Sequence, residues 1–225
     1  MFNIKKNKNN NVESFNNILN FAKSILQSDQ PQRIDDLIYS LGKPYQFKII
    51  NMCIKGKPLS RNSAFNFEHL FFRNDAKKYQ FIKVNSAGDF INYNESLIGK
   101  KIHPDSSLIF TFPWNKNRLS DAFNHIGETV QNEWKFDPLN HRVLYISPLN
   151  IGYVLNGNHS AVMNIINNEA PMIITEELDL TLVYEEIYTD GQFFKSKLDN
   201  SIIDQVSSVE FAAIFEIGRL LLKKL

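Results

Sequence analysis

The chain has 225 residues, of which 43% are hydrophobic, and its formal net charge is +1. This length and apolar content are enough for one large domain with a sizeable core. The near-neutral charge gives no global electrostatic attraction for nucleic acid, although a local basic patch stays open. The single cysteine, Cys53, excludes a disulfide within the chain and a zinc site built from several thiolates, and we expect it in the core.

The sequence contains no membrane-directing segment that we can recognise. No apolar run approaches the roughly 18 residues needed to span a bilayer. The Lys- and Asn-rich residues 1–11 lack the apolar stretch of a secretory signal. We therefore expect a cytoplasmic protein with no membrane partner.

The first part of the chain is expected to be helical. Residues 1–11 are polar and low in complexity, which predicts a disordered tail. Apolar residues then recur at helical spacing over residues 12–26 and again over residues 34–41. Gly42 and Pro44 predict the end of this second helix, because glycine often follows a helix and proline cannot continue one.

The next segment mixes helix and strand signals. Residues 45–72 are aromatic-rich and predict two helical pieces, divided by Gly56 and Pro58. Residues 79–93 predict a β-hairpin, with a turn between two apolar runs. Residues 107–112 fit a buried strand.

A strongly periodic helix follows this strand. Asn115 is a candidate N-cap, and apolar residues at helical spacing extend the predicted helix over residues 119–134. We expect Trp114 and Trp134 to pack in the core rather than to stack on a nucleic-acid base. His125 falls on the solvated face of this helix, so we assign it no role.

The C-terminal part is predicted to contain strands before a last helix. Residues 172–175 read as a strand and residues 178–187 as an extended run. The turn signal Asp190-Gly191 joins that run to residues 192–195. These segments would complete a small mixed sheet.

The final apolar run, residues 209–222, predicts a core helix. Ser207 and Glu210 form a possible capping box at its start. Because no Gly/Ser-rich linker divides the chain, we predict one α+β domain. It consists of a helical N-terminal part, residues 12–75, and a core with a small mixed sheet, residues 76–225.

The most informative stretch is a hairpin that leads through a polar loop into a helix. Residues 143–147 and 151–155 flank a turn at 148–150 and should pair. A helix N-terminus presents unpaired N–H groups and partial positive charge, which suit phosphate or carboxylate. We therefore predict a ligand-binding loop formed by Asn156, Gly157, Asn158, His159 and Ser160.

The same loop also has a purely structural explanation. Asn156 and Asn158 are frequent residue types in tight turns, Ser160 could be an N-cap, and His159 could be a core histidine bonded to a carbonyl. In a site, His159 could donate to an anion, act as a general base or ligate a metal. We favour the functional interpretation because five suitable residues converge at one helix N-terminus.

The order of hairpin, Gly-x-His loop, helix and strand resembles the ParB/sulfiredoxin-like superfamily. There the loop typically reads Gly-x-His-Arg and binds nucleotide phosphates at the helix N-terminus. Gly157 and His159 match this motif, and Asn158 occupies the variable position. Ser160 stands where the family has arginine, which removes the strongest phosphate anchor and counts against nucleotide hydrolysis. Asn158 stands where sulfiredoxin has its reactive cysteine, which counts against that activity.

Residues 105–222 also resemble an uncharacterised bacterial domain family with no assigned activity. The likeness rests on five short sequence segments, which are residues 112–115 together with Arg118, and residues 137–141, 156–160, 189–191 and 215–219. It implies a shared fold and site. Arg118, in the first turn of its predicted helix, could replace the missing loop arginine as an anion clamp. A surface arginine or a salt bridge to an acidic neighbour is the alternative.

Asp137 and His141 precede the hairpin and should lie at its open end. With His159 they make a set of two histidines and one carboxylate, which can hold a divalent metal. We therefore take His159, His141 and Asp137 as candidate catalytic residues. Nucleotide and divalent metal are the candidate cofactors.

Three functions stay open. The first is a ligand-binding domain that recognises a phosphate-bearing nucleotide or a nucleic-acid end, where any catalysis would be phosphoester or phosphoanhydride chemistry. The second is a non-enzymatic protein-interaction module of a defence or toxin–antitoxin system. The third is a metal-dependent nuclease that uses Asp137, His141 and His159.

Overall fold

A central sheet between two groups of helices positions the loop at residues 156–160. The computed structural model describes residues 2–58, 68–73 and 97–223, and their side chains except at residues 2–10, 68 and 69. These parts form an α+β fold with helices at the N-terminal end and one helix at the C-terminal end, as predicted. None of the helices in these ranges is long and apolar enough to cross a membrane.

The helices are α1 (Phe2–Leu26), α2 (Ile34–Ile54), α3 (Glu68–Phe71), α4 (Lys116–His125), α5 (Asn158–Asn167), α6 (Thr181–Glu186) and α7 (Val209–Leu222). Two short 3₁₀ turns cover Pro31–Arg33 and Glu128–Val130. The strands are β1 (Lys101–Ile102), β2 (Leu108–Phe110), β3 (Arg142–Ser147), β4 (Ile151–Asn156), β5 (Met172–Ile173), β6 (Glu176–Asp179), β7 (Ile187–Thr189), β8 (Phe193–Ser196) and β9 (Ile202–Gln205).

The central sheet has the strand order β2-β4-β3-β6. β3 and β4 form the predicted antiparallel hairpin, with β2 parallel to β4 and β6 parallel to β3. Leu144 and Ile146 belong to a core shared with α1, α2 and α7, whereas Val143 belongs to a second core with Ala161 of α5. Since successive side chains of a strand point to opposite faces, β3 is buried on both.

Two smaller sheets lie beside the central one. β1 pairs antiparallel with β5, and β7, β8 and β9 form an antiparallel meander. The Asp190-Gly191 turn joins β7 to β8, as predicted. The predicted extended run at 178–187 is wrong in its middle, because α6 separates β6 from β7.

The N-terminal helices differ from the prediction at three points. α1 begins at Phe2, so it includes nearly all of the residues 1–11 that we expected to be a disordered tail. α2 does not end at Gly42 but continues through Pro44. It ends before Gly56, at φ 70°, where the N–H groups of Gly56 and Lys57 bond back to carbonyls of the last turn.

Packing explains why α2 passes through its two helix-breaking residues. A Cβ at Gly42 would overlap Cδ2 of Leu108, so the glycine lets β2 approach the helix closely. Beyond Pro44, the buried amide of Gln46 donates to the carbonyl of Thr111 at 3.1 Å and accepts its N–H at 2.8 Å. These contacts to the sheet offset the backbone hydrogen bond that proline cannot make.

The predicted helix over residues 119–134 is wrong in its second half. α4 ends at His125, Ile126 is extended, and Gly127 has a φ of 134°. Trp134 is nevertheless buried, as expected, because the following loop folds back and stacks its ring on His141 with centroids 4.8 Å apart. Trp134 is therefore buried by a loop rather than by a helix face, whereas Val130 of the same periodic run is exposed.

The final helix is a core helix, as predicted, but its cap differs. Ser208 is the N-cap of α7 and accepts the N–H of Phe211 at 3.3 Å, whereas Ser207 donates to the carbonyl of Leu70. Cys53 is buried, as predicted. The predicted hairpin at 79–93 lies outside the described residues, as does most of the second helical piece predicted within 45–72.

Candidate functional site

A cleft of about 390 Å³ opens between α4 and the loop that enters α5. Strand β4 leads directly into this loop, and α4 forms the opposite wall of the cleft. The cleft is lined by all of the predicted binding residues, which are Asn156, Gly157, Asn158, His159, Ser160 and Arg118. Of the predicted catalytic residues, His159 lines the cleft, whereas His141 and Asp137 lie behind the loop.

Gly157 sets the direction in which the loop enters the helix. It is the N-cap of α5 and adopts the left-handed conformation, with φ 81° and ψ 20°. A Cβ at this position would overlap Cδ2 of His141 and lie 3.0 Å from its Nε2. The position thus requires glycine for both its backbone angle and its close packing.

The N-terminus of α5 points donors toward the cleft region without a side-chain cap. Among the described residues, no side chain caps this helix, and Ser160 is not the N-cap but lies in the first turn. The first N–H groups of a helix have no acceptor within the helix. Together with the helix dipole they make this turn suitable for an anion.

Asn158 ties α5 to the end of β2. Its Oδ1 accepts the N–H of Phe112 at 2.7 Å, and the hydroxyl of Thr111 lies 2.9 Å away. The side-chain NH₂ of Asn158 has no acceptor in the described part of the chain. Oδ1 of Asn158 is therefore structural, and its NH₂ group remains available to donate into the cleft.

His159 is held by the entrance to α4. Its Nε2 accepts the N–H of Asn115 at 3.1 Å, and its ring meets that of Trp114 edge-on, with centroids 5.2 Å apart. Because Nε2 is an acceptor, the neutral ring carries its proton on Nδ1. Proton abstraction or metal binding at Nε2 would require His159 to lose its bond to Asn115.

His141 is a buried neutral histidine that supports the loop from behind. Its Nδ1 accepts the N–H of Asp137 at 2.8 Å, so Nε2 carries the proton and donates to Oγ of Ser160 at 2.7 Å. Ser160 in turn donates to the carbonyl of Gly157 at 3.0 Å. Burial lowers the pKa of His141, and the charge of Asp137 offsets this only in part. In this tautomer Nε2 of His141 cannot take a proton from Ser160, and the ring positions the loop; a catalytic role for His141 stays a prediction.

Asp137 shapes the turn before β3 rather than reaching the cleft. Its Oδ1 accepts the N–H of Leu139 at 2.9 Å, and its carbonyl accepts the N–H of His141 at 2.7 Å. Such a bond from an aspartate to the N–H two residues on is an Asx turn. Asp137 is thus part of the scaffold that holds His141.

The structure gives no support to the alternative of a metal site formed by Asp137, His141 and His159. Over the described residues, no group of three or more His, Cys, Asp or Glu side chains is placed to hold a metal ion. The physical reason is that each histidine gives an acceptor nitrogen to a backbone N–H, Nδ1 of His141 to Asp137 and Nε2 of His159 to Asn115. These rings are oriented by the fold and do not converge.

Sequence reasoning missed part of the cleft wall. Trp114 is half-exposed there rather than in the core, and the Arg118 guanidinium lies 5.1 Å from the centroid of its ring. Asp121 and His125 also line the cleft. Their spacing of three and seven residues from Arg118 places them on the same face of α4, which is the signal that could have found them.

The asparagines at the rim connect the loop to the turn before β3. The Asn156 side-chain NH₂ donates to the carbonyl of Asn140 at 2.7 Å, and both residues line the cleft. Arg118 and the α5 N-terminus are electropositive, whereas Asp121 is acidic. The lining of the cleft therefore offers both hydrogen-bond donors and acceptors.

The family model described as "Family of unknown function (DUF6710)" matches residues 2–225. The chain belongs to this family. No curated protein and no solved structure matches the chain. The match covers the N-terminal helices as well as the cleft, so both are parts of one family's sequence. The likeness to the ParB/sulfiredoxin-like superfamily stays a prediction from the loop motif.

Proposed function

We propose that the chain is a ligand-binding domain that holds a phosphate-bearing molecule, a nucleotide or a nucleic-acid end, in the cleft between α4 and α5. One observation carries the proposal: the first turn of α5, which has no side-chain cap, and the Arg118 side chain line the same cleft. Backbone N–H groups at a helix N-terminus and a guanidinium are both favourable phosphate contacts. The Gly-x-His likeness of the loop to the ParB/sulfiredoxin-like superfamily supports the same choice.

Arg118 is the residue that would replace the arginine missing at position 160. It is exposed in the first turn of α4, where its backbone N–H bonds to the Asn115 side chain. Its guanidinium rests over Trp114 and forms no ion pair within the described part of the chain. Because no carboxylate holds it, Arg118 can turn toward an anion at low cost.

The hydrogen bonds at the site favour binding over catalysis. Nε2 of His159 and Nδ1 of His141 already accept backbone N–H groups. A general base needs an acceptor nitrogen within reach of the proton that it removes. His159 therefore serves best as a donor and as part of the cleft wall.

Isothermal titration calorimetry with AMP, and with adenosine as the phosphate-free control, tests this proposal. We expect AMP to bind and adenosine to bind far more weakly. Arg118→Ala should weaken AMP binding by about tenfold or more, since a hydrogen bond to a charged group contributes roughly 1.5–3 kcal/mol. Lys116→Ala removes a neighbouring exposed charge that does not line the cleft and should have little effect. Equal binding of AMP and adenosine, or no binding, would exclude a phosphate site.

A protein-interaction module is the second candidate, and one residue favours it. Leu139 is 95% exposed, on the Asx turn that Asp137 holds next to the cleft. A photo-crosslinking amino acid at position 139 tests this candidate in cells. Leu198 is equally exposed on the loop between β8 and β9 and is the control position. A partner captured at 139 but not at 198 supports an interaction surface, and identical products at both positions contradict it.

A further inference from the structure

The α4 wall of the cleft offers acceptors as well as the Arg118 guanidinium. Nδ1 of His125 lies 2.8 Å from the carbonyl oxygen of Asp121. A carbonyl only accepts, so Nδ1 carries the proton and the neutral ring presents Nε2 as an acceptor. The Asp121 carboxylate likewise only accepts, and it has no hydrogen-bond or ion-pair partner within the described ranges. Both side chains are exposed and both line the cleft.

The spacing along α4 sets the distances between Arg118 and the two acceptor residues. Trp114 and Asn115, at the start of α4, contact His159 in the first turn of α5. Arg118 lies next to them, and His125 follows seven residues later. At 1.5 Å per residue, this separation is about 10 Å along the helix axis. Asp121 lies between them, about 4.5 Å from Arg118 along the axis. A ligand that extends from Arg118 past Asp121 to His125 must therefore be much longer than inorganic phosphate.

We propose that Asp121 and His125 are specificity-determining residues that select a phosphate ester with an N–H donor in the part of the molecule beyond its phosphate. This inference rests on the proposed phosphate site and adds the chemistry of the other half of the ligand. The phosphate occupies the α5 N-terminus and Arg118, and an amino or amide N–H meets the Asp121 carboxylate. A ligand with an acceptor in place of that N–H group is disfavoured, because it places two acceptors against each other.

A matched pair of ligands separates this inference from the phosphate site itself. AMP carries an exocyclic amino group at the end of its base, whereas purine riboside 5′-monophosphate has the same phosphate, sugar and ring system without that group. Calorimetric titration of both compounds is carried out on the wild type, Asp121→Ala and Asp121→Asn. Asp29→Ala removes an exposed aspartate that does not line the cleft and serves as the control.

We expect the wild type to bind AMP about tenfold or more tightly than purine riboside 5′-monophosphate. A hydrogen bond to a charged carboxylate typically raises the affinity by about this factor. Asp121→Ala should lower the affinity for AMP to that of the other compound and leave the other affinity unchanged. Asp121→Asn should keep part of the preference, because its amide oxygen still accepts.

Any other outcome overturns the inference, and the pattern of affinities shows whether the phosphate site fails as well. If both compounds bind the wild type equally and Arg118→Ala weakens both, the phosphate site stands but Asp121 and His125 do not select between ligands. If Asp121→Ala weakens both equally, Asp121 acts on the cleft as a whole and not on the amino group. If neither compound binds the wild type, the proposed function fails together with this inference.

Discussion

Substitution of Gly157 by alanine tests whether the loop is shaped by His141. The first cost is the left-handed backbone, with φ 81°, which costs a non-glycine residue roughly 1–2 kcal/mol. The second is overlap with the buried ring of His141, which is held at both nitrogens by Asp137 and Ser160. Displacing a packed group costs about 1–3 kcal/mol. We therefore expect Gly157→Ala to lower the free energy of unfolding by about 2–5 kcal/mol.

Chemical denaturation measures this loss, and two comparisons separate the costs. Gly56 has a φ of 70° and no atom within 4 Å of an added Cβ, so Gly56→Ala reports the backbone cost alone. In a His141→Ala background the overlap disappears, and Gly157→Ala should then cost no more than Gly56→Ala. The reasoning is refuted if Gly157→Ala is no more destabilising than Gly56→Ala in the wild type, or if its cost is unchanged without His141.

Three further predictions concern the scaffold of the site. Gly42→Ala should lower the free energy of unfolding by about 1–3 kcal/mol, although alanine favours helices, because its Cβ would overlap buried Leu108. Stability should fall as pH drops below about 6.5, since the pKa of His141 is lowered from 6.5 by burial and the unfolded chain takes up the proton first. Burial raises the pKa of Glu169, but hydrogen bonds from N–H groups of Trp134, Asn167 and Glu128 lower it below its usual value. Because the Glu169 carboxylate accepts the backbone N–H groups of Glu128 and Trp134, Glu169→Ala should speed amide exchange at these two residues.

Each of these predictions has a matched control. Adding Leu108→Ala should reduce the effect of Gly42→Ala, and an unchanged effect would contradict the overlap. His141→Gln should flatten the pH dependence, whereas His103→Gln, at an exposed position, should not. The stability that His141 contributes is fully present above its unfolded pKa and is lost as pH falls through the lower folded value. Glu133→Ala is the exposed control for Glu169, and faster exchange in both variants would contradict the role of Glu169.

Local signals predicted the elements around the site well. The hairpin of β3 and β4 was recognisable from two apolar runs around a short turn, and the N-cap at Asn115 from its residue type. The Gly-x-His loop was placed correctly at the start of α5. These features depend on residues close together in the chain, so the sequence carries the full information for them.

Signals that depend on distant residues were misread. The apolar spacing from Leu119 to Trp134 predicts a long helix, but Gly127 adopts a φ of 134° and the chain turns there. Gly42 predicts a helix end, but Leu108 packs against it within α2. Trp114 predicts core packing, but it forms a wall of the cleft. For Gly42 and Trp114 the deciding neighbour lies in another element.

The sequence by itself determined that the segment Gly157–Ser160 begins a helix, that it contains chemically capable side chains, and that it has no arginine at position 160. Only the tertiary structure decided what those side chains can do. The backbone N–H of Asn115 determines which ring nitrogen of His159 is the acceptor, and the backbone N–H of Asp137 does the same for His141. His159 therefore lines the cleft, whereas His141 is buried and supports the loop. Tautomer and burial depend on partners brought together by folding, and one-dimensional spacing does not contain them.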